Sequence, residues 1–406
     1  MKAVPLCHFV TSPLKRGETT TLQRSDRNFS GARQNRRGVV YSSGEGAGNL
    51  ESVTRIITAE EDGLTVRRYL RRKLGFSARA VSRVSQAETG ILVNGERAFT
   101  IRVLRAGDVL RVETGDHRGP KKPLIPGDWP LEILWEDEHL LILNKPAGMT
   151  SHASNFDPDA PNVGGALAYR RGGGFVFHPV NRLDRGTSGV MVVAKSGYMH
   201  DRLRRMLHGP EFRREYRAVC VGVPEPPQGL IDLPIGRDER SIVARMVRPD
   251  GAEAVTYYET LAVSGTPQTL AVSNAPQTLA VSDTPETLAV SDAPETSAAP
   301  DTLPEASADA PRLSFVRLRP RTGRTHQLRV HMAYIGCPLL GDWLYGVETP
   351  LIARPALHSY RLELRHPLTG DWLTLTAPTP DDMRRVTESY FQGGLDNVDM
   401  AGDLQV

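Results

Sequence analysis

Hydrophobic positions follow two different rhythms along the chain. Val66, Leu70 and Leu74 recur every four residues, which predicts one buried stripe on a helix. Ser77 is placed as the N-cap of a second helix carrying Val81 and Val84. Ile91-Leu92-Val93 then runs into Asn94-Gly95, a hairpin turn signal. A further strand is expected over Val109–Val112, after the turn at Ala106-Gly107-Asp108. From Leu131 onward the pattern becomes short apolar runs broken by turns. Strands are expected at Leu131–Trp135, Leu140–Leu143, Val190–Ala194, Glu215–Val221, Ala254–Glu259 and Leu313–Leu318. No apolar run approaches the ~18 residues of a membrane span, so no membrane association is expected.

Composition divides the chain further. Residues 1–50 carry eight Lys/Arg against three Asp/Glu, with no apolar period. They read as a disordered basic arm, an organelle transit peptide or nonspecific RNA contact being the other readings. Residues 52–113 form the small helical-plus-hairpin unit, 114–128 a linker containing Gly119-Pro120-Lys121-Lys122-Pro123, and 129–390 a long mixed domain. That domain is interrupted. TLAVSGTPQ, beginning at Thr260, is followed by TLAVSNAPQ, TLAVSDTPE and TLAVSDAPE, with a degenerate continuation to Ala310. Residues 262–310 hold seven acids, no Lys or Arg and no aromatic residue, and every copy contains proline. This reads as a disordered insert in a surface loop between two neighbouring strands. Residues 391–406 read as a disordered tail.

The formal net charge of +3 therefore averages an acidic insert with a basic body. Between Gly63 and Ala87 lie Arg67, Arg68, Arg71, Arg72, Lys73, Arg79 and Arg83, with no acid. Such a cluster on two short helices suits phosphate binding, and Arg71, Arg72 and Arg79 are its candidate contacts. Cys7, Cys220 and Cys337 form no CxxC pair, which excludes a disulfide framework and a cysteine-rich zinc site and fits a reducing compartment.

Three clusters carry chemically able side chains. His178–Gly189 contains Asn181-Arg182-Leu183-Asp184-Arg185 and ends in Thr187-Ser188-Gly189 before a buried strand. Flanking guanidinium groups favour an ionised Asp184, and such a carboxylate in a cleft is a candidate nucleophile; a structural ion pair is the other reading. Arg321–His331 contains Arg324, His326, Arg329 and His331, on a strand or at a helix start. It suits phosphate contact or a partner for Asp184, while His326 and His331 also read as satisfied core histidines. The third cluster is Glu211–Arg217. No nucleotide loop, HExxH or GxSxG motif is present, so neither a cofactor nor a metal is expected.

Arg182-Leu183-Asp184-Arg185-Gly186-Thr187-Ser188-Gly189, followed by Ala194-Lys195, resembles the signature of the RluA-type pseudouridine synthases. Arg324-Thr325-His326-Gln327-Leu328-Arg329-Val330-His331 resembles their second hallmark, with Gly336-Cys337-Pro338 and Gly341-Asp342 downstream. Asn144–Met149 and Arg214-Glu215-Tyr216 complete an ordered set spanning about 131–385. Asn181 stands where the family most often has histidine, and Arg214 where it has lysine. Residues 52–113 resemble the α-L RNA-binding module of a small-subunit ribosomal protein. The resemblance implies an α+β fold: a small RNA-binding domain, then a catalytic domain with a mixed, mostly antiparallel sheet flanked by helices. It implies cofactor-free isomerisation of uridine to pseudouridine in the cytoplasm by a monomer. The expected partner is ribosomal RNA, with transfer RNA as the second choice. Asp184 would be the nucleophile or base, Tyr216 would stack on the uracil, and Arg329 would pair with Asp184. Arg182 would fill the space left by the flipped nucleotide, and Asn181, Thr187, Arg324 and His326 are further substrate contacts. A catalytically silent RNA-binding or ribosome-assembly protein on the same fold is the alternative, and a glycosidase lacks a second carboxylate in any motif.

Overall fold

The computed structural model describes residues 33–34, 40–42, 52–116, 124–153, 157–171, 175–265, 277–279, 312–346 and 348–391. A first, antiparallel sheet is built from β1 (Arg33–Gln34), β2 (Val40–Ser42), β3 (Ser52–Ile56), β4 (Ile91–Val93), β5 (Glu96–Arg97) and β6 (Val109–Glu113). Its order is β1-β2-β3-β6-β4-β5. Two helices, α1 (Val66–Arg72) and α2 (Ala78–Gln86), share one core with it through Val66, Leu70, Leu74, Val81 and Val84. Local chemistry explains both helix starts. The Thr65 hydroxyl accepts from Arg68 N–H, and the Ser77 hydroxyl accepts from Ala80 N–H at 3.1 Å. Asn94 and Gly95 both take positive φ, 57° and 84°, as a tight two-residue hairpin turn demands.

The large sheet holds β7 (Glu132–Glu136), β8 (Leu140–Lys145), β9 (His178–Pro179), β10 (Ser188–Ala194), β11 (Phe212–Val221) and β12 (Gln228–Asp232). After a small hairpin of β13 (Ile235–Arg237) and β14 (Arg245–Val247) it continues with β15 (Val255–Val263), β16 (Gln277–Leu279), β17 (Leu313–Pro320), β18 (Leu357–Arg365) and β19 (Trp372–Thr376). The main order is β16-β12-β15-β17-β11-β18-β10-β8-β7. Pairing is antiparallel except between β10 and β18 and between β12 and β16. Every residue of β10 is buried. Met191 and Val193 join the core under α3 (Val163–Arg171) and α5 (Gln327–Tyr334), while Val190, Val192 and Ala194 join the one under α4 (Gly197–Met206). A strand covered on both faces loses polar alternation, which is why this one reads as an unbroken apolar run. α6 (Asp381–Tyr390) packs Met383 and Val386 against Ala262, Leu313 and Phe315. Among the described residues no helix is long and apolar enough to cross a membrane.

Helices α3, α4 and α6 have no counterpart among the elements expected from the hydrophobic pattern. β15 runs on to Val263, inside the stretch read as insert, and Gln277–Leu279 pairs with β12. β1 and β2 likewise fall within the stretch read as a basic arm. The rest of that arm, linker residues 117–123, insert residues 266–276 and 280–310 and the tail from 392 lie outside the described residues.

The strands on either side of the insert close on each other. Ser264 N–H donates to Leu313 O, and Leu313 N–H donates to the Ser264 hydroxyl, both at 2.8 Å. A two-residue turn can therefore replace 266–311. The replacement removes the three-residue edge strand β16 from beside β12 but also lowers the entropy cost of closing the loop, and the variant should melt within a few degrees of the parent. Thermal unfolding many degrees lower would show that the insert stabilises the domain by more than the long loop costs.

Candidate active site

A cleft of about 600 Å³ opens where the Asn181–Thr187 loop, the middle of β11 and the start of α5 meet. Asn181, Arg182, Asp184 and Thr187 line it from the loop. Tyr216, Arg324, His326 and Arg329 line it from the other two elements. Arg71, Arg72 and Arg79 do not; they stand exposed on α1 and α2.

The loop carrying Asp184 is held through its backbone. Leu183 N–H donates to the Ser151 hydroxyl at 3.0 Å, and that hydroxyl donates back to Leu183 O at 2.7 Å. Thr187 N–H closes a turn onto Asp184 O at 3.1 Å. Arg185 O accepts from Gly148 N–H at 2.8 Å and from the Lys145 ammonium at 3.5 Å. Gly186 O accepts from Arg354 Nη1 at 3.0 Å, and Arg354 is itself gripped at both Nε and Nη2 by Asp382 of α6. Each carbonyl from 183 to 186 thus has a donor. A carboxylate on such a loop keeps its position without a side-chain tether.

Among the described residues, no hydrogen bond or ion pair engages the Asp184 carboxylate. Two expectations are corrected here. Arg185 turns away to donate to Gly148 O at 3.1 Å. Arg329 does not pair with Asp184: its Nε and Nη2 reach Asp342 at 2.7 and 2.6 Å. Asp342 is wholly buried, and its desolvated charge is answered by this fork together with Leu344 and Tyr345 N–H, which donate to Oδ1 at 3.1 and 3.2 Å. The pair fixes the guanidinium face over the Tyr345 ring, 4.9 Å from its centroid. Arg329 remains within the electrostatic reach of Asp184, whose charge helps hold it protonated after Asp342.

The Tyr345 hydroxyl accepts from Arg245 N–H at 2.7 Å and lies 2.8 Å from His326 Nδ1. Burial lowers the His326 pKa, with Asp184 opposing. A neutral imidazole can then accept the Tyr345 O–H hydrogen bond at Nδ1 and carry its proton at Nε2. His326 sits at φ 58°, a left-handed geometry that costs a non-glycine residue about 1 kcal/mol. Gln327 enforces it: the side-chain oxygen takes Arg324 N–H at 3.0 Å, and Nε2 donates to Val255 O at 3.0 Å. His331 is a satisfied core histidine, held by Thr256 and Leu233 O. Tyr216 is buried at a β-bulge, where Glu215 faces Arg361 but Tyr216 faces Ser359. Burial pushes its phenol pKa up, with Arg214 and Ser359 opposing and Asp184 adding. The Asn181 amide oxygen accepts from Val192 N–H at 2.8 Å, so half of its side chain serves the fold.

Lys145, Ser151, Gln327, Asp342, Tyr345 and Arg354 were not singled out as site residues from the sequence. Most of them act on backbone atoms, which leave no partner side chain to read. Lys145 is fully buried and donates to Pro146 O at 2.8 Å and Met149 O at 2.7 Å. Burial first, then the Arg354 charge, pushes its pKa down to about 7, with Asp184 opposing. Between pH ~7 and its ordinary value the unfolded chain binds a proton that the native state lacks, so stability rises with pH. The stability difference between wild type and Lys145→Met should climb from pH 7 to 9 with a slope approaching about 1.4 kcal/mol per unit. Urea melts at several pH values check this, and a difference independent of pH contradicts it.

The arrangement offers a free carboxylate, a neutral buried phenol and a fixed guanidinium in one cleft. Residues 139–334 match a family described as RNA pseudouridylate synthase. The uncharacterized RNA pseudouridine synthase YjbO of Bacillus subtilis (strain 168) is 34% identical over 325 residues, covering 80% of this chain and 98% of that protein. Ribosomal large subunit pseudouridine synthase D of Xanthomonas campestris is 32% identical over 320 residues, covering 73% and 79%. The solved structure of Human RNA Pseudouridylate Synthase Domain Containing 1 aligns at 21% identity and a TM-score of 0.42, covering 62% of this chain and 84% of its own. With its motifs in order and a relative matched over nearly its whole length, the chain belongs to the RluA-type RNA pseudouridine synthase family and is an isomerase acting on RNA.

Proposed function

We propose that this enzyme isomerises specific uridines of structured ribosomal RNA, with Asp184 as the residue that reacts with the ribose. The observation that carries this reading is the unengaged Asp184 carboxylate on a backbone-clamped loop, lining the same cleft as Tyr216 and Arg329. In the reaction the N1–C1′ bond breaks, the uracil turns, and C5 bonds to C1′. The C5 proton leaves and N1 gains one, so nothing is oxidised or hydrolysed. Asp184 either attacks C1′ or removes a ribose proton. Tyr216 lies against the uracil, and because burial holds its phenol neutral it acts as a contact and a proton relay rather than as a phenolate. Arg329, locked by Asp342, offers Asp184 a fixed positive field instead of a direct ion pair.

Arg182 is exposed at the cleft lip and would take the place of the flipped nucleotide. Thr187, Arg324 and His326 would contact its sugar, phosphate or base edge. Flipping costs a few kcal/mol and least in loops and bulges, which are the favoured targets. The exposed cations Arg71, Arg72 and Arg79 would hold flanking phosphates. Ribosomal RNA is favoured over transfer RNA by relatives whose names specify the large ribosomal subunit. We take the enzyme to be a cytoplasmic monomer; the free, buried Cys220 and Cys337 fit a reducing compartment.

The test uses ribosomal and transfer RNA tritiated at uracil C5, from cells lacking this enzyme. Wild type should release tritium from the ribosomal fraction, and Asp184→Ala should release none above background. Comparable release by Asp184→Ala would remove Asp184 from the chemistry. A folded wild type that binds RNA without any release would make the chain a silent binder.

A further inference from the structure

Helix α4 uses three faces at once, each repeating at helical spacing. Met199 and Leu203 face the core of the large sheet. His200 and Arg204, with His208 just beyond the helix, line the cleft. Tyr198, Asp201 and Arg202 face residues 74–77, between α1 and α2. The Tyr198 hydroxyl donates to Leu74 O at 2.9 Å, and Arg202 Nη1 donates to the same oxygen at 2.8 Å. Ser77, the N-cap of α2, donates to Asp201 Oδ2 at 2.5 Å. The Tyr198 ring joins the core of the first sheet and stacks on Phe76 with centroids 4.5 Å apart. A methyl group at Gly75 would come within 3.3 Å of both the Arg202 and Arg205 guanidinium groups.

A second seam reinforces the first. Asp116 lies 2.7 Å from His178 Nε2 and accepts from Gly197 N–H at 3.3 Å, at the start of α4. It also lies 3.8 Å from Arg83 of α2. Arg83 is thereby drawn out of the cation cluster that the sequence suggested for phosphate. The other six cations, Arg67, Arg68, Arg71, Arg72, Lys73 and Arg79, stay exposed. Arg205 and Arg204, both exposed on α4, continue the charge from Gly75 to the cleft lip. The path crosses only the ~10 Å width of one helix.

Building on the reading under Proposed function, we propose that α4 is a shared wall that makes the α1–α2 cations and the cleft one RNA-binding surface of fixed offset. The substrate is then an RNA whose backbone runs from the target uridine directly onto α1 and α2. Asp116, Tyr198 and Asp201 are positioning residues that select among uridines by holding that offset. They touch neither the RNA nor the reacting atoms.

Full-length Asp116→Ala/Asp201→Ala is assayed on two RNAs tritiated at uracil C5. One is a large-subunit ribosomal RNA transcript; the other is the uridine mapped in it with a single nucleotide on either side, a fragment too short to cross α4 and reach α1. KM for the transcript should rise about tenfold with kcat within twofold, and both constants for the fragment should match wild type. Arg71→Glu/Arg72→Glu should show the same pattern, and joining the two pairs should add little, because both break one contact path. Equal loss on both RNAs would reduce α4 to a structural element, and an unchanged KM for the transcript would sever the seam from recognition. Either result overturns the proposal. If the double variant loses its cooperative melt, Tyr198→Phe, which deletes one hydroxyl, carries the same test. Binding isotherms of the two RNAs read the seam independently of turnover. A wild type that releases no tritium while the transcript-selective binding loss persists refutes the catalytic reading and leaves the shared wall standing.

Discussion

Four backbone carbonyls, those of residues 183–186, govern the rest of the site. Asp184 can be both rigid and free only if something other than its own carboxylate anchors the loop. Ser151, Gly148 and Lys145, all from the segment at the end of β8, and Arg354 from the far end of the chain provide that anchor. A direct bridge between Asp184 and Arg329 would have held the loop equally well. It would also have engaged the carboxylate that we propose reacts with the ribose. Spending Arg329 on the buried Asp342 instead keeps a positive field beside Asp184 without occupying it.

The sheet makes this arrangement possible. β10 leaves the loop between two cores and so fixes its direction at one end. The bulge between β11 and β18 sets Tyr216 at the cleft. The strained His326 at the head of α5 completes the rim, held by Gln327 from behind. These are buried contacts with little freedom to move. The exposed cations on α1 and α2 have only charge to offer, and their proposed use depends on where α4 holds them.

What the sequence revealed follows from how local each signal is. The Ser77 cap and the Asn94-Gly95 turn were legible because the partners lie within three residues. The buried β10 was legible because both of its faces are apolar. Asp184, Tyr216 and Arg329 were legible as parts of motifs, and all three line the cleft. The partner of Arg329 was not, since any acid might answer a guanidinium and the choice of Asp342 is made by the turn after α5. Helix α4 escaped because three used faces leave no polar stripe to frame a hydrophobic one. Arg83 was grouped with the phosphate-facing cations although Asp116 claims it, a contact no spacing rule reports. Lys145 and Arg354 work on carbonyls, which every residue has.

The most direct test is a crystal structure of Asp184→Asn, the nearest isostere, bound to an RNA carrying an unreacted target uridine. The account predicts the uridine flipped into the cleft, with the residue 184 side chain within about 3.5 Å of the ribose carbon or its neighbouring proton. Arg329 should still be forked onto Asp342. A uridine seated away from residue 184, or an Arg329 that has left Asp342 to bind residue 184, would contradict the claim that the loop presents a free carboxylate to the sugar.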